Sequence, residues 1–131
     1  MGPSGRQAIN KNLKKIINNY EIDFTIINGE NADDDGRGIT KSISEEFFHQ
    51  GVDVITSGNH IWDKQAQTEV INHENRLLRQ ANLPEGPPGD GFGIYEAKDK
   101  KFKVGVINLM GNVFMRKTND VFEIAKQIKD K

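Results

Sequence analysis

The sequence contains no cysteine, so disulfide bonds, thiolate nucleophiles and cysteine-ligated zinc or iron–sulfur sites are excluded. It has no apolar run near the roughly 18 residues that a membrane-spanning helix requires, and its first residues lack the apolar segment of a secretory signal. Acidic and basic residues nearly balance, with a formal net charge of −1, which gives no indication of binding to DNA or to an anionic membrane. We therefore expect a cytoplasmic protein that binds neither membrane nor DNA.

The chain is long enough for one folded domain. Its 131 residues lie near the roughly 150 residues of an average domain, and a chain of this size buries about two thirds of its unfolded surface. Only three histidines occur, His49, His60 and His73, so a metal site here would depend mainly on carboxylates and amides. The prediction is a single domain over residues 1–131.

Helical and strand patterns alternate along the chain. Ile9, Leu13, Ile16 and Ile17 recur at helical spacing, which predicts an amphipathic first helix. The helices are predicted over residues 5–19, 41–50, 64–71 and 119–129. The strands are predicted over residues 22–27, 52–56, 93–97 and 102–109, the last two as a hairpin. This alternation favours an α/β layered domain with a partly parallel sheet.

The second helix has two candidate first residues. Ser42 and Glu45 fit a capping box, in which each side chain bonds the other residue's backbone N–H, and Thr40 is a rival N-cap. Gly51 is expected just beyond the end of this helix, where a left-handed backbone is common.

Two short polar motifs directly follow predicted strands. Asn-Gly-Glu-Asn stands at 28–31 and Gly-Asn-His at 58–60. Because ligands of open α/β sheets bind beyond the carboxyl ends of strands, we expect both motifs to line one crevice. Carboxylate, amide and imidazole groups suit manganese, iron or zinc, and a two-metal site can hold a phosphate and activate water.

Gly-Asn-His at 58–60 resembles the signature of the calcineurin-like metallophosphoesterases. Longer stretches at 28–32, 38–40, 51–64, 76–82 and 106–115 resemble the YmdB-like bacterial family. The resemblance extends over nearly the whole chain. Members of that family are dinuclear phosphodiesterases that hydrolyse 2′,3′-cyclic nucleotides.

The resemblance implies a role for four residues. Glu30 would bridge both metal ions, and Asn59 would ligate one of them through its amide oxygen. Asn31 lies beside the bridging residue as a further candidate for metal or substrate contact. His60 would contact the phosphate and act as general acid towards the leaving oxygen. The implied cofactors are two divalent ions, iron or manganese, and the implied partner is a cyclic nucleotide or other small phosphodiester, bound by a possible homo-oligomer.

Part of the family's site has no counterpart in this sequence. The family begins with a strand that ends in Gly-Asp and supplies three further histidines from its C-terminal half. We therefore expect a layered metallophosphoesterase-like sandwich with a mixed sheet that is incomplete in this chain and carries only part of the metal site. Two alternatives remain open, a catalytically inactive fragment or interaction module of the same fold and a generic nucleotide-binding α/β module.

The remaining candidates have ordinary structural interpretations. Trp62 is predicted to anchor packing rather than to stack on a base. Arg76 and Arg79 have the spacing of a common surface pair. Arg116 and Lys117 are expected in a loop that flanks the mouth of the substrate site.

Overall fold

A computed structural model describes residues 2–63, 65–84 and 87–130. The helices are α1 (Pro3–Asn19), α2 (Lys41–His49), α3 (Gln65–His73) and α4 (Val121–Lys129), with a 3₁₀ helix at Asn59–Trp62. The strands are β1 (Ile26–Asn28), β2 (Val54–Thr56), β3 (Leu77–Leu78), β4 (Phe92–Glu96) and β5 (Lys103–Ile107). The predicted alternation is confirmed, and among the described residues β3 is a strand that the sequence patterns did not predict. Lys64, the predicted first residue of α3, lies outside the described residues.

Two sheets make up the strand layers. Strands β1, β2 and β3 form a parallel sheet in that order, and β4 pairs with β5 as an antiparallel hairpin. The register of the parallel sheet sets Asn28 beside Thr56, the last residues of β1 and β2. The expected mixed α/β fold is therefore confirmed, and the carboxyl ends of β1 and β2 lie side by side.

Apolar side chains lie on both faces of the parallel sheet, because successive residues of a strand point to opposite sides. The helices cover one face, where the core includes the fully buried Ile39, Phe47, Ile55, Ile61 and Leu77. The hairpin covers the other face through Val54, Leu78 and Val106. The order of layers is therefore helices, parallel sheet and hairpin.

The first strand is shorter than predicted and begins later. The backbone N–H of Thr25 donates to the Asp53 carboxylate at 2.7 Å, and the N–H groups of Asp53 and Val54 both donate to the Thr25 carbonyl. Because a side chain takes the place of a backbone partner here, regular pairing starts only at Ile26.

Helix α2 starts at the rival cap. The Thr40 hydroxyl accepts the N–H of Ile43 at 3.3 Å, so the capping box of Ser42 and Glu45 is wrong. The end is as predicted, since Gly51 follows the helix with a φ of +99°. Within the described residues, no helix has the length and apolar content needed to cross a membrane.

Candidate active site at the carboxyl edge of the parallel sheet

The structure brings the two polar motifs together. Glu30 lies two residues beyond the end of β1, and Gly58 lies two residues beyond the end of β2. The Glu30 side chain packs so closely on Gly58 that a Cβ at position 58 would overlap its carboxyl group. Any side chain at position 58 would displace the Glu30 carboxyl group from this place. The carboxyl group thus lies against the residue that directly precedes Asn59 and His60.

The loop after β1 is held by bonds within the loop and from α1. The backbone N–H of Glu30 donates to the Asn28 side-chain oxygen at 3.0 Å. The Asn31 amide nitrogen donates to the Gly36 carbonyl at 2.7 Å, which gives this residue a role in shaping the loop. Arg6 of α1 donates to the Ala32 carbonyl. These bonds fix the backbone that carries Glu30.

His60 is oriented by a neighbouring carboxylate. The 3₁₀ helix directly after Gly58 sets His60 and Asp63 one turn apart, with Nδ1 of His60 2.8 Å from Oδ2 of Asp63. With Nδ1–H donating to the Asp63 carboxylate, Nε2 is the ring nitrogen left for chemistry. Asp63 is not among the site residues predicted from the sequence, although its i,i+3 spacing from His60 is a usable signal.

Buried amides fix the backbone just before Gly58. Gln80 and Asn108 are almost fully buried, and both donate to the Ser57 carbonyl, at 3.2 and 2.8 Å. The Trp62 indole N–H in turn donates to the Gln80 side-chain oxygen at 3.4 Å. Sequence reasoning missed both amides, because no periodic pattern separates a buried, bonded Gln or Asn from an exposed one.

A cavity of about 590 Å³ opens beside Asn59. Its walls include Trp62 and Phe114 as well as Arg116 and Lys117, the pair predicted to flank the mouth of a site. Trp62 packs against the helix-side core, so its predicted packing contact is confirmed. Its side chain is only partly buried and also lines the cavity, so this packing does not exclude contact with a base. Aromatic and cationic side chains therefore line the same cavity as Asn59, one of the candidate metal ligands.

Two arginines considered from the sequence are engaged elsewhere. Arg76 pairs with Glu74 at 2.9 Å and lies over the Phe48 ring, 3.7 Å from its centroid. Arg79 donates to the Gly89 and Gln80 carbonyls at 2.9 and 2.8 Å. Burial lowers the pKa of Arg79, which the Asp90 charge partly opposes. Both guanidinium groups thus have structural partners.

The donor chemistry fits a metal, but the set is small. The Glu30 carboxylate, Asn59 amide and His60 imidazole are ligand types that manganese and iron accept. Within residues 2–63, 65–84 and 87–130, no cluster of three or more His, Asp or Glu side chains has the arrangement to hold a metal ion. The donor types of Glu30, Asn59 and His60 fit a metal ion, and their roles at a metal site stay predictions.

Comparison with known proteins places this geometry in context. Residues 1–131 match the model of a family described as YmdB-like protein. The chain is 39% identical over 128 residues to the 2′,3′-cyclic-nucleotide 2′-phosphodiesterase of Bacillus subtilis (strain 168). That match takes in 98% of this chain and 47% of the Bacillus protein.

Two crystal structures are similar along almost the whole chain. One is a hypothetical protein from Thermus thermophilus, with a TM-score of 0.90 and 29% identity over 100% of this chain and 50% of that one. The other is a novel phosphatase from Mycoplasma pneumoniae, with a TM-score of 0.84 and 30% identity over 98% of this chain and 47% of that one. The chain spans about half the length of these relatives.

Proposed function

This chain belongs to the YmdB-like protein family, and from that premise we propose that it carries part of the active site of a metal-dependent phosphodiesterase. The proposed substrates are 2′,3′-cyclic nucleotides, the class named for the Bacillus relative. The observation that carries the proposal is the packing of the Glu30 carboxyl group on Gly58, beside Asn59 and His60. Two motifs from different strands thereby converge on one edge of the sheet.

Each candidate residue has a proposed task. Glu30 and Asn59 hold divalent ions through oxygen atoms, with Asn31 supporting the loop beside them. Two such ions, iron or manganese, supply charge neutralisation at the phosphate and activation of water when bound. The two ions need further ligands besides Glu30 and Asn59, and in this proposal other residues supply them.

His60 is proposed to handle the leaving group. Water oxygen bonds to phosphorus and releases one proton to the solvent, the bond from phosphorus to the 2′-oxygen breaks, and the 2′-oxygen receives a proton. Nε2 of His60 donates that proton, while Asp63 holds Nδ1 at 2.8 Å and keeps the ring in place. The product is then a 3′-phosphate.

Metal content tests this proposal with a matched pair of variants. Glu30→Gln keeps the size of the side chain and removes the charge that a bridging ligand needs, so we expect it to lose most of the bound manganese and the cyclic-nucleotide hydrolysis. Glu45→Gln makes the same exchange at a side chain that is 58% exposed on α2, and we expect no loss. The measurement is manganese per chain after anaerobic loading and removal of loose ions, with hydrolysis of 2′,3′-cyclic AMP assayed in parallel.

The result separates the main alternatives. Manganese retained by Glu30→Gln would contradict the ligand assignment. No manganese on the unaltered chain would favour the inactive fragment or interaction module, an alternative supported by the small donor set within the described residues. Nucleotide binding that persists in a chelator, without hydrolysis, would favour the generic nucleotide-binding module. The cytoplasmic location and the homo-oligomer stay predictions.

A further inference from the structure

One fully buried side chain closes the loop that borders the cavity. Asn82 donates from its amide nitrogen to the Met110 carbonyl at 2.8 Å, to the Thr118 hydroxyl at 2.9 Å and to the Asn119 carbonyl at 3.0 Å. Its amide oxygen accepts the N–H of Met110 at 3.0 Å. Both ends of residues 111–117, which we term the rim loop, are thus tied to the same amide.

A second set of bonds tightens the base of the rim loop. The Asn112 side-chain oxygen accepts the N–H of Thr118 at 2.8 Å and its hydroxyl at 2.6 Å. Compact loops whose ends are joined in this way are frequently functional. The rim loop is therefore presented as a preformed element.

Phe114, within the rim loop, combines two unfavourable features. Its side chain is fully exposed, and its φ is +58°. A bulky residue in the left-handed region is strained, and such strain concentrates at ligand clamps and active sites. An exposed ring also forgoes the free energy of burial. Both features are accounted for if a ligand covers the ring.

The cavity indicates what that ligand is. Phe114 shares its walls with Trp62, whose indole is held by Gln80, and with Asn59 of the candidate metal site. Arg116 and Lys117 bring positive charge to the same walls. Aromatic faces stack on any nucleobase, and cations attract phosphate. The volume of about 590 Å³ lies within the range of roughly 300–1,000 Å³ typical of small-ligand pockets.

We propose that this cavity is a nucleobase subsite, in which Phe114 and Trp62 contact the base of a mononucleotide whose phosphate lies towards Asn59. The inference rests on the proposed function for the identity of the substrate, and it adds where the base binds. Because stacking tolerates every base, the subsite selects nucleotides over phosphodiesters that lack a base and discriminates weakly among bases.

Trp62 provides the readout, since the chain contains one tryptophan. Adenosine 3′-monophosphate and adenosine are titrated while Trp62 fluorescence is followed, with ribose 3-phosphate as the probe that lacks a base. We expect both adenine compounds to quench the fluorescence and ribose 3-phosphate to leave it unchanged. Adenosine carries no phosphate and therefore does not need a metal ion in order to bind the subsite. Its titration is repeated in the presence of a chelator, which measures base binding when no metal is bound.

Variants of the rim loop test whether Phe114 contributes to nucleotide binding. Phe114→Ala is expected to weaken adenosine 3′-monophosphate binding about 5- to 150-fold, the range that corresponds to the loss of an aromatic partner by one base. Phe114→Tyr keeps the ring and is expected to bind as the unaltered chain does. Val113→Ala is the matched control, because Val113 is 78% exposed in the same loop and is not among the residues that line the cavity.

Unchanged affinity in Phe114→Ala would overturn the subsite, and so would the absence of quenching by either adenine compound. Loss of binding in both Phe114→Ala and Phe114→Tyr would also contradict stacking, because the ring is retained in the second. Failure of the proposed function looks different. Hydrolysis that survives Glu30→Gln, together with binding that depends on Phe114, would leave the nucleobase subsite in place and remove only the metal assignment.

Discussion

At the scale of single residues, burial and the contact with Arg76 have opposite effects on the pKa of Glu74. Burial raises the pKa of the Glu74 carboxyl group, but the hydrogen bonds and positive charge of Arg76 outweigh this, and the pKa lies below its ordinary value. A carboxyl group whose pKa is lowered on folding contributes stability above its unfolded pKa of about 4.3. That contribution is lost as the pH falls through the lower, folded value.

Glu74→Gln should therefore destabilise the protein only where the carboxylate is charged. We expect a smaller free energy of unfolding than in the unaltered chain at about pH 6, and a smaller difference between the two chains at about pH 3. Urea unfolding at both pH values measures this, with Glu45→Gln as the control for loss of a surface charge. A difference that stays constant between the two pH values would contradict the ion pair as its source.

Single residues also mark the limit of sequence reasoning about the site. Glu30 and His60 were predicted to lie together, because each follows a strand and the ends of parallel strands share an edge. The bond from Gln80 to the Ser57 carbonyl was not predicted, since it depends on three-dimensional packing that leaves no mark on spacing. The roles of Glu30, Asn31, Asn59 and His60 as ligands or acid remain predictions.

At the scale of elements, the helices were predicted close to their observed ends, whereas strand β3 was not predicted at all. The predicted ends of α1 and α4 lie within two residues of those observed, because several turns of apolar spacing define a helix. Strand β3 consists of Leu77 and Leu78 alone, which is too short to show an alternation of period two. Its existence depends on pairing with β2, a tertiary contact.

The start of α2 offers a test at this scale. Thr40→Ala removes the hydroxyl that accepts the Ile43 N–H, and we expect a loss of about 1 kcal/mol in the free energy of unfolding. Ser42→Ala is the matched control, because Ser42 lies inside α2 and is exposed, and we expect little change. Urea unfolding followed by Trp62 fluorescence gives both values. The reverse order of effects would restore the capping box of Ser42 and Glu45.

At the scale of the whole molecule, Asn108 ties the hairpin layer to the parallel sheet. It follows β5 and donates to the carbonyls of Ser57 and Leu78, at 2.8 and 2.9 Å, at the carboxyl ends of β2 and β3. The same two hydrogen bonds of Asn108 therefore stabilise both the contact between the layers and the backbone next to the candidate site. That all 131 residues form one domain stays a prediction.

Asn108→Ala tests this stabilisation. We expect it to lower the free energy of unfolding by about 1–3 kcal/mol, because two buried hydrogen bonds are lost. Asn18→Ala, at an exposed position of α1, is the control and should change little. Thermal unfolding checks the stability. Equal stability of the two variants would show that the layers do not depend on this amide.

The parallel pairing of β1 with β2 has a consequence for the order of folding. Parallel neighbours cannot be joined by a tight turn, so the chain must first complete the crossover that contains α2. Closing a connection of this length costs entropy before any contact is gained, which slows the early steps of folding. Glu30 and Gly58 meet only once that crossover is closed. The same step that pairs β1 with β2 thus brings the candidate metal ligands together. In a folding intermediate without this pairing, Glu30 would not lie beside Gly58.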